Sequence, residues 1–393
     1  MVTKSADVII IGGGVIGTSI AYYLAKQGIK ATLLESKDIC SGTSGACDKA
    51  ISLQSKNPGL HLELALQSAA IYHTLGEELS CELEYKQCGG MIAIENESQL
   101  TIMEDFVRRQ KKFGLTVDLV SIEEARKRQP ALSPNLIAAT YSSVDAEVSP
   151  LKATFAFARA AQRQGACLHS GVEVRSIMVK DGKVEGVITN KGVYKTNLVI
   201  NAAGVYAPFI GQMVGIHIPI KPRRGQIIIT EPMPPFIQGH LWSARYIVAK
   251  YNPELIRQED SEAADLGVGL AAGQTHDGTL LFGGTREFVG YDVKTTPEAF
   301  AAILRHAVNI VPALRQVHVI RTFAGLRPYT VDGMPILGPV DGLEGFLMAA
   351  GHEGDGIALA PITGQMIAGY IVSGIETKEI QALRLSRLTS VNC

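Results

Sequence analysis

The chain has 393 residues, of which 46% are hydrophobic and 19% charged; this composition excludes an intrinsically disordered protein and is sufficient for two or three domains. The 37 basic and 38 acidic residues give a formal net charge of −1, so no electrostatic attraction to nucleic acid or anionic membranes is expected. No window offers the ~20 uninterrupted apolar residues of a transmembrane helix, and the glycine-interrupted N-terminus does not resemble a signal peptide. We therefore expect a cytoplasmic protein without a membrane span.

The cysteines predict reduced thiols rather than disulfides or a metal centre. They form no CxxC pair, and a chain without a secretory signal is expected in a reducing compartment. Cys40 with Cys47, or Cys81 with Cys88, could hold a metal, but metal sites usually use tighter spacing. We therefore predict no metal site. The six cysteines are Cys40, Cys47, Cys81, Cys88, Cys167 and Cys393.

The N-terminal residues predict a β-α-β unit. Residues 7–11 are a largely β-branched run that is typical of a buried parallel strand. Residues 16–27 predict a helix, which Gly28 ends. Residues 31–35 predict the second strand.

Further along the chain, helices and strands follow one another without a Pro/Ser-rich linker or an internal repeat, so we expect interleaved rather than consecutive domains. Helices are predicted over residues 60–79, 100–113, 151–164, 297–311 and 357–372. Strands are predicted over residues 90–95, 195–200, 226–230, 279–284, 317–325 and 345–349, with a hairpin around Asp181 and Gly182 and an exposed loop over residues 257–265.

A glycine-rich turn directly after the first strand predicts dinucleotide binding. Gly12, Gly14 and Gly17 fit the spacing GxGxxG and open a helix. Such a turn lets a pyrophosphate approach the backbone, and the helix N-terminus supplies partial positive charge. Glu35 ends the second strand, where an acid binds a ribose diol and disfavours a 2′-phosphate. The alternative is a plain glycine-rich turn, and the fingerprint alone does not separate FAD from NAD.

Three later segments favour FAD. Residues 41–45 (SGTSG) offer small hydroxyl side chains suited to a pyrophosphate, and residues 199–204 (VINAAG) predict a strand that passes close to the nucleotide. Residues 351–364 (GHEGDGIALAPITG) place glycines before an apolar helix, whose N-terminus would stabilise the negative charge of a reduced flavin. Each segment has an ordinary alternative as a loop or a helix cap.

In this order and spacing, GGGVIG…LLE, NAAG and GLRPYTVDGMPILGP…GHEGDGIALAPITG resemble the D-amino-acid oxidase, glycine oxidase and sarcosine oxidase (DAO) family of FAD-dependent oxidoreductases. The resemblance covers essentially the whole chain. Within the family, SGTSGACDKAISLQSK and QTHDGTLLFGGTREF look most like the FAD subunits of heteromeric opine, proline or hydroxyproline dehydrogenases and of hydrogen cyanide synthases.

The resemblance implies an α/β fold with a Rossmann-type, GR2-like FAD-binding domain. It also implies an interleaved substrate-binding domain that is built on a mostly antiparallel sheet. We expect residues 1–84, 145–219 and 320–393 to form the FAD-binding domain, and residues 85–144 and 220–319 to form the substrate-binding domain.

The same resemblance implies that FAD is bound non-covalently, because sarcosine oxidases with covalent flavin carry a Cys where this chain has Arg327. The adenine contact of the family matches the backbone of Val174. The expected FAD contacts are Gly12, Gly14, Val15, Ile16, Gly17, Glu35, Ser36, Thr43, Ser44, Val174, Ala203, Gly204, Gly354, Asp355, Gly356 and Ile357.

Four residues are candidates for catalysis. Arg327 occupies the place where glycine-oxidase-like relatives hold the substrate carboxylate, and a guanidinium can pair with it bidentately; a structural ion pair is the alternative. Lys49 could lie near flavin N5, although pairing with Asp48 or another carboxylate is as reasonable. His352 could act in acid–base chemistry or orient the flavin, and Tyr329 could close the pocket; both could instead be satisfied structural residues.

We interpret the reaction as oxidation of the C–N bond of an amino or imino acid, in which a hydride passes to flavin N5 and leaves an imine. The chain is either the FAD subunit of a heteromeric dehydrogenase that passes electrons to partner subunits, or a free-standing oxidase that uses oxygen. Other readings are a non-catalytic FAD-binding module and an NAD dehydrogenase. Candidate pocket residues are Tyr246, Tyr251, His276 and Arg286.

Overall fold

The computed structural model describes residues 3–251, 253–259 and 261–389. The side chain of Tyr251 and all of Cys393 lie outside the described residues. The strands, in chain order, are β1 Thr3–Ser5, β2 Val8–Ile11, β3 Ala31–Leu34, β4 Ala50–Ile51, β5 Lys86–Gln87, β6 Gly90–Ile94, β7 Asp118–Ser121, β8 Ala138–Ser142, β9 Ala146–Glu147, β10 Cys167–His169, β11 Val174–Lys180, β12 Lys183–Thr189, β13 Gly192–Lys195, β14 Val199–Asn201, β15 Lys221–Pro232, β16 His240–Ser243, β17 Ala271–Gln274, β18 Thr279–Gly283, β19 Val319–Tyr329, β20 Ile336–Pro339 and β21 Phe346–Ala350.

The α-helices pack against these strands or connect them. They are α1 Val15–Lys26, α2 Leu60–Glu78, α3 Glu97–Lys112, α4 Ile122–Arg128, α5 Pro150–Arg163, α6 Ala207–Gln212, α7 Arg245–Tyr251, α8 Pro253–Glu259, α9 Ser261–Asp265, α10 Pro297–Ile310, α11 Gly356–Ser373, α12 Lys378–Ala382 and α13 Ser386–Thr389.

The predicted β-α-β unit is confirmed and lies at the centre of a six-stranded sheet. All residues of β2 and β3 are buried, which is why the sequence shows continuous apolar runs instead of alternation. The strand order is β10-β3-β2-β14-β21-β20, and each pair is parallel except β20 with β21. Buried residues run along almost all of α1, which packs against α5 and α11.

The prediction of a single strand over residues 195–200 is wrong, because two separate strands occupy this part of the chain. Gly192–Lys195 pairs with β12 in a four-stranded sheet, whereas Val199–Asn201 enters the six-stranded sheet between β2 and β21. The two strands belong to different sheets, so the chain must change direction between them. Thr196 makes this turn, because its hydroxyl donates to the carbonyls of Asp7 (3.1 Å) and Leu198 (3.2 Å).

The eight-stranded sheet has the order β19-β15-β18-β17-β16-β6-β8-β7 and is antiparallel except for the pair β16 and β6. The fold predicted from the sequence, an α/β nucleotide-binding unit with a mostly antiparallel second sheet, is therefore confirmed. β19 belongs to this second sheet, although the sequence-based division assigns residues 320–393 to the FAD-binding domain. We propose to place that boundary after Tyr329.

The exposed loop predicted over residues 257–265 is also wrong. The structure has α8 and α9 in this part of the chain. Ile256 and Ala263 are buried, and Ala263 packs with Val268 and Ala302. Two short helices with one or two buried residues each show too little apolar periodicity to be recognised in a polar sequence.

The long helix α11 is the most apolar helix near the end of the described residues. By length and composition alone Gly356–Ser373 is apolar enough to cross a membrane, but 56% of it is buried inside the protein. It packs against α1 and α2. A core helix passes the same test, so the length and apolarity of α11 do not indicate a membrane span.

Candidate active site

The turn between β2 and α1 is shaped for the close approach of a ligand. Gly12 has a φ of +117°, and a Cβ there would lie 2.4 Å from the carbonyl oxygen of Ala202. A Cβ on Gly17 would lie 2.0 Å from the carbonyl oxygen of Gly12. Glycine at both positions therefore lets α1 pack tightly against the turn.

The N-terminus of α1 lies under the loop of residues 41–45. The helix begins at Val15 after Gly14, and the Val15 N–H donates to Ser44 Oγ at 3.0 Å. Backbone N–H groups in the first turn, which includes Ile16, have no partner inside the helix and carry partial positive charge. The structure thus brings the predicted residues of the glycine turn and Ser44 together. The Thr43 side chain points away from the N-terminus of α1, because its hydroxyl donates to the carbonyl of Leu326 on β19 at 2.6 Å.

Glu35 connects the glycine turn with the end of β3. Its Oε2 accepts a hydrogen bond from the Gly13 N–H at 2.7 Å. Its Oε1 accepts from the Lys37 N–H at 2.8 Å and from Ser36 Oγ at 3.2 Å. The carboxylate is therefore fixed at the edge of the turn, where the sequence analysis expects a ribose.

The NAAG segment lies next to Gly12. Asn201 Oδ1 accepts from the Ala203 N–H at 3.3 Å, which shapes the turn after β14. Gly204 has a φ of +55°, and a Cβ there would meet no atom within 4 Å. Val174 is buried at the start of β11. These residues stand at the carboxyl ends of parallel strands or beside them, where open α/β sheets bind nucleotides.

The glycine-rich segment before α11 reaches into the second sheet. α11 begins at Gly356, directly after Asp355, and a Cβ on Gly354 would lie 3.6 Å from Arg327 Cδ. The first turn of this helix, with Ile357 buried in it, therefore faces the strand that carries Arg327.

Arg327 lies on β19 and extends across β15. A Cβ on Gly225 would lie 2.2 Å from Arg327 Nη1, so the absence of a side chain at Gly225 leaves room for the guanidinium. Nη1 donates to the carbonyl of Thr285 at 2.9 Å. Among the described residues Arg327 forms no ion pair, so part of its donor fork is available to a ligand.

A family model described as FAD dependent oxidoreductase (DAO) matches residues 7–370. The chain belongs to this family. Hydrogen cyanide synthase subunit HcnC from Pseudomonas aeruginosa is 30% identical, and the match covers 93% of this chain and 92% of that protein. Glycine oxidase from Geobacillus kaustophilus is 28% identical over 94% of this chain and 93% of the relative.

Among solved structures, this FAD-dependent oxidoreductase resembles L-proline dehydrogenase from P. horikoshii. The TM-score is 0.89 at 29% sequence identity, and the match covers 99% of both chains. The site fits FAD on its own geometry, because the cradle at Gly12, the N-terminus of α1 and the carboxylate of Glu35 meet along one edge of the sheet. NAD is the other dinucleotide considered, but binding of NAD would leave the segment before α11 without a role.

Arg327 of the oxidoreductase lies in a narrow pocket between the two sheets. The pocket is lined by side chains of both sheets and of the loops between them, among them Asp48, Lys56, Trp242, Tyr246, Arg286 and Arg327. Tyr246 and Arg286, which the sequence analysis names as candidates, therefore face the same space as Arg327. His276 does not, because its side chain is 85% exposed.

Lys49 and Asp48 point to different surroundings. Lys49 forms an ion pair with Glu147 (2.6 Å) and donates to the carbonyl of Gln274, so the carboxylate pairing considered for it is observed, with Glu147 instead of Asp48. Asp48 accepts from the Ala50 N–H at 3.2 Å. Burial raises the pKa of the Asp48 carboxyl, which makes it a better proton acceptor than an exposed aspartate.

A buried ion pair holds the segment before α11 in place. Lys56 pairs with Asp355, and His61 Nε2 lies 3.0 Å from the other carboxylate oxygen of Asp355. The Lys56 side chain is only 3% exposed. Although burial opposes its charge, the attraction of Asp355 raises the pKa of the Lys56 ammonium. Asp355 is therefore engaged by protein groups at the helix start.

His352 and Tyr329 have structural partners. His352 Nε2 lies 3.1 Å from Thr363 Oγ1, and burial lowers the pKa of its imidazole to about 3, so the ring is neutral at pH 7. The Tyr329 ring stacks under the guanidinium of Arg223 at 4.6 Å and meets Phe288 edge to face. In these contacts neither the His352 imidazole nor the Tyr329 hydroxyl lies against Arg327.

A second, wider cleft of about 1340 Å³ opens on the other side of the loop that carries Lys49. Its walls include Ala46, Cys47, Phe323 and, at the rim, His276. In the part of the chain that the structure describes, no three His, Cys, Asp or Glu side chains are grouped to hold a metal. The described cysteines are all free thiols.

Sequence analysis assigned no role in the pocket to the charged residues Asp48 and Lys56, and it considered Asp48 only as a partner of Lys49. Lys56 has no local signal, because its partner Asp355 is 299 residues away in the chain.

Proposed function

We propose that this FAD-dependent oxidoreductase oxidises the C–N bond of an amino acid or imino acid. The observation that carries the proposal is Arg327, which faces the narrow pocket next to the segment before α11 and forms no ion pair with a described residue. A guanidinium in this state suits a carboxylate, which it binds through two parallel hydrogen bonds. Glycine oxidase and L-proline dehydrogenase, two relatives of the chain, act by name on such substrates.

Arg327 and Asp48 have distinct tasks in this reaction. Arg327 holds the carboxylate and so orients the α-carbon. Asp48, whose pKa is raised by burial, receives the proton of the substrate ammonium. The α-carbon then gives up a hydride and the amine is left as an imine, which water hydrolyses. When bound, FAD supplies the acceptor for this hydride.

We propose that FAD is held non-covalently by Gly12, Ser44, Glu35, Gly204 and Gly354. The glycines let the cofactor approach the backbone closely, and Ser44 and Glu35 supply a hydroxyl and a carboxylate that are suited to hydrogen bonds with it. Acid precipitation of the yellow protein should release all flavin into the supernatant. Flavin that stays with the precipitate would disprove the non-covalent proposal.

The test of the reaction is reduction of the flavin without oxygen. We expect at least one of glycine, sarcosine, D- or L-proline, hydroxyproline and an opine to bleach the absorbance near 450 nm. Arg327→Ala should weaken binding of that substrate by about 2–5 kcal/mol, because a substrate carboxylate is left without its cation. Arg321→Ala is the matched control, since Arg321 is exposed on the same strand.

Two outcomes contradict the proposal. If no amine reduces the flavin in any assembly, the chain is a non-catalytic FAD-binding module. If Arg327→Ala leaves the kinetics of every carboxylate substrate unchanged, Arg327 is not the carboxylate site.

We propose that the electrons pass to partner subunits. The support is the similarity to a subunit of hydrogen cyanide synthase; the glycine oxidases among the relatives support the alternative, an oxidase that uses oxygen. Admission of air to the reduced protein separates the two. A flavin that stays reduced in air supports transfer to a partner subunit, and rapid return of the yellow colour supports the oxidase.

A further inference from the structure

Asp355 occupies the N-cap position of α11 but does not cap the helix. The helix begins at Gly356, and the Asp355 carboxylate makes no capping hydrogen bond to it. An aspartate at this position normally accepts from the N–H of the second or third helical residue, here Ile357 or Ala358. The first N–H groups of α11 have no partner inside the helix, so they keep their partial positive charge.

Five other polar N-cap residues of the protein behave differently. Each of them accepts a hydrogen bond from the backbone N–H three residues further along the chain, as an N-cap side chain usually does. They are Asn96 before α3, Ser121 before α4, Ser149 before α5, Thr296 before α10 and Thr377 before α12. The missing cap at Asp355 therefore has a local cause.

The cause is a pair of buried groups that hold the carboxylate away from the helix. Lys56 Nζ pairs with Asp355 Oδ1, and His61 Nε2 lies 3.0 Å from Asp355 Oδ2. The side chains of Lys56 and His61 are only 3% and 5% exposed. If the carboxylate turned towards α11, it would leave a buried cation unpaired, which is strongly unfavourable.

The two partners of Asp355 are fixed by separate parts of the fold. The side-chain amide of Gln110 on α3 donates to the carbonyls of Gln54 and Lys56, at 2.9 Å each, and so anchors the loop that carries Lys56. His61 belongs to the first turn of α2, which packs against α11. Asp355 is therefore held by a loop and by a helix.

Other charges near the pocket increase the need for a cation at this point. Asp48 and Glu353 both repel the charge of Asp355. Glu353 is balanced by the arginines of the pocket, first of all by Arg223, with which it forms an ion pair. The charge of Asp355 is balanced by Lys56.

We propose that Lys56, assisted by His61, is a positioning residue that keeps the N-terminus of α11 uncapped for FAD. This inference rests on the proposed contact of Gly354 with the cofactor and does not depend on the substrate. Reduced flavin is more negative than oxidised flavin, so an uncapped helix N-terminus stabilises the reduced form and raises the reduction potential. Without Lys56, Asp355 caps the helix, and its charge opposes reduction.

The reduction potential of the FAD-loaded protein measures this effect at equilibrium, without turnover. We expect Lys56→Met to shift the balance between oxidised and reduced flavin about tenfold towards the oxidised form, which corresponds to about 30 mV for a two-electron couple. His61→Gln should act in the same direction by about threefold, because Lys56 still holds one oxygen. Lys56→Arg keeps the cation and should retain the potential of the wild type.

Sulfite gives a second readout. It adds to oxidised flavin and leaves negative charge on the ring, so its dissociation constant responds to the same helix N-terminus. We expect this constant, measured by the loss of flavin absorbance, to rise about tenfold in Lys56→Met. A crystal structure of this variant should show the Asp355 carboxylate turned towards the N–H of Ile357 or Ala358.

The background Asp355→Ala separates positioning from a direct effect of the Lys56 charge on the cofactor. No carboxylate can cap α11 in this background, so adding Lys56→Met should change the sulfite constant by less than about twofold. A full effect in both backgrounds would show that Lys56 acts on the cofactor directly, and the inference would be overturned.

Two further variants complete the comparison. Lys183→Met is the matched control, because it removes an exposed ion pair with Glu344, and it should retain the potential and the sulfite constant of the wild type. If Lys56→Met does not fold, His61→Gln, alone and combined with Asp355→Ala, makes the same comparison while the Lys56 cation stays in place.

The outcomes separate this inference from the proposed function. If no amine reduces the flavin but the two backgrounds differ as expected, oxidation of a C–N bond fails and the positioning role stands. If an amine reduces the flavin, and neither Lys56→Met nor His61→Gln lowers the potential or weakens sulfite binding, the inference is overturned and the proposed function stands.

Discussion

Gly12 shows at the scale of one residue why the nucleotide turn needs glycine. Its φ of +117° is rare for any other residue, and the carbonyl oxygen of Ala202 occupies the space that a Cβ would take. The obstacle is backbone rather than the end of a flexible side chain. Ala202 directly follows β14, so it cannot move without disturbing the sheet.

We therefore expect Gly12→Ala to abolish FAD binding. The absorbance ratio of flavin to protein in the purified variant should fall close to zero, and unfolding should require less urea. Gly369→Ala is the matched control, because a Cβ at this helical position meets no atom within 4 Å. A Gly12→Ala protein with a full complement of FAD would contradict this account of the turn.

Gly225 plays an equivalent part for the substrate. An alanine there would collide with the end of the Arg327 side chain, which can move at low cost, instead of with backbone. We expect Gly225→Ala to keep its FAD and its stability but to bind carboxylates about tenfold more weakly, through displacement of the guanidinium. Spectral titration with a carboxylate ligand measures this. Unchanged affinity would show that Arg327 does not need its observed position.

The segment before α11 offers a test of electrostatics at the scale of one element. Lys56→Met removes the cation that faces Asp355, and we expect it to destabilise the protein by about 3–5 kcal/mol. The loss is reduced to the extent that His61, which also contacts the Asp355 carboxylate, compensates its charge. Adding Asp355→Asn should recover much of this loss. A double-mutant cycle in urea measures the coupling, and independent effects of the two changes would contradict a shared ion pair.

His352, in the same segment, makes stability depend on pH. Burial lowers its pKa from 6.5 to about 3, so the unfolded chain binds more protons than the folded chain between these values. Stability is therefore complete above pH 6.5 and falls as the pH decreases towards 3. Between pH 7.5 and pH 5 we expect His352 to account for a loss of about 2 kcal/mol.

The variant His352→Gln isolates this contribution, since His240 is also buried with its pKa lowered to about 4 and acts in the same direction. The raised pKa of Asp145 acts in the opposite direction. The difference between the unfolding free energies at pH 7.5 and pH 5 should shrink by about 2 kcal/mol in the variant. An equal pH dependence in both proteins would show that His352 titrates normally.

How well the elements could be predicted depended on what they pack against. Strands β2 and β3 were recognisable because both faces are buried, and α11 because its apolar run is long and follows glycines. The helices α8 and α9 were not, because a few buried residues such as Ile256 do not make a periodic pattern. The turn at Thr196 depends on a hydrogen bond to Asp7, just before β2, that no local signal reveals.

For the site, sequence motifs located the nucleotide cradle but not the substrate pocket. The spacing GxGxxG is local, so Gly12, Gly14 and Gly17 were identifiable without a structure. The pocket combines Asp48, Arg286 and Arg327 from distant parts of the chain. Which charges meet there, and which are already paired, is a property of the folded molecule.

For the whole molecule, FAD should act as a structural component. The proposed cofactor site combines the six-stranded sheet with loops that touch β19, so we expect FAD binding to stabilise the contact between the two sheets. With free FAD at a hundredfold excess over its dissociation constant, mass action adds about 2.7 kcal/mol to stability. Removal of FAD should therefore lower the melting temperature and its return should restore it; equal melting temperatures would show that FAD does not bind the folded state preferentially.

The order of strands in the six-stranded sheet also determines when the molecule can be completed during its synthesis. β14 lies between β2, which precedes it in the chain, and β21, which begins about 145 residues after β14 ends. At about 5–20 residues per second a ribosome needs roughly 7–30 s to proceed from β14 to β21. Throughout that interval β14 has an open edge on which another nascent chain could pair. The sheet beside the NAAG turn is therefore completed only once β21 has been made, and we expect FAD to bind after that point.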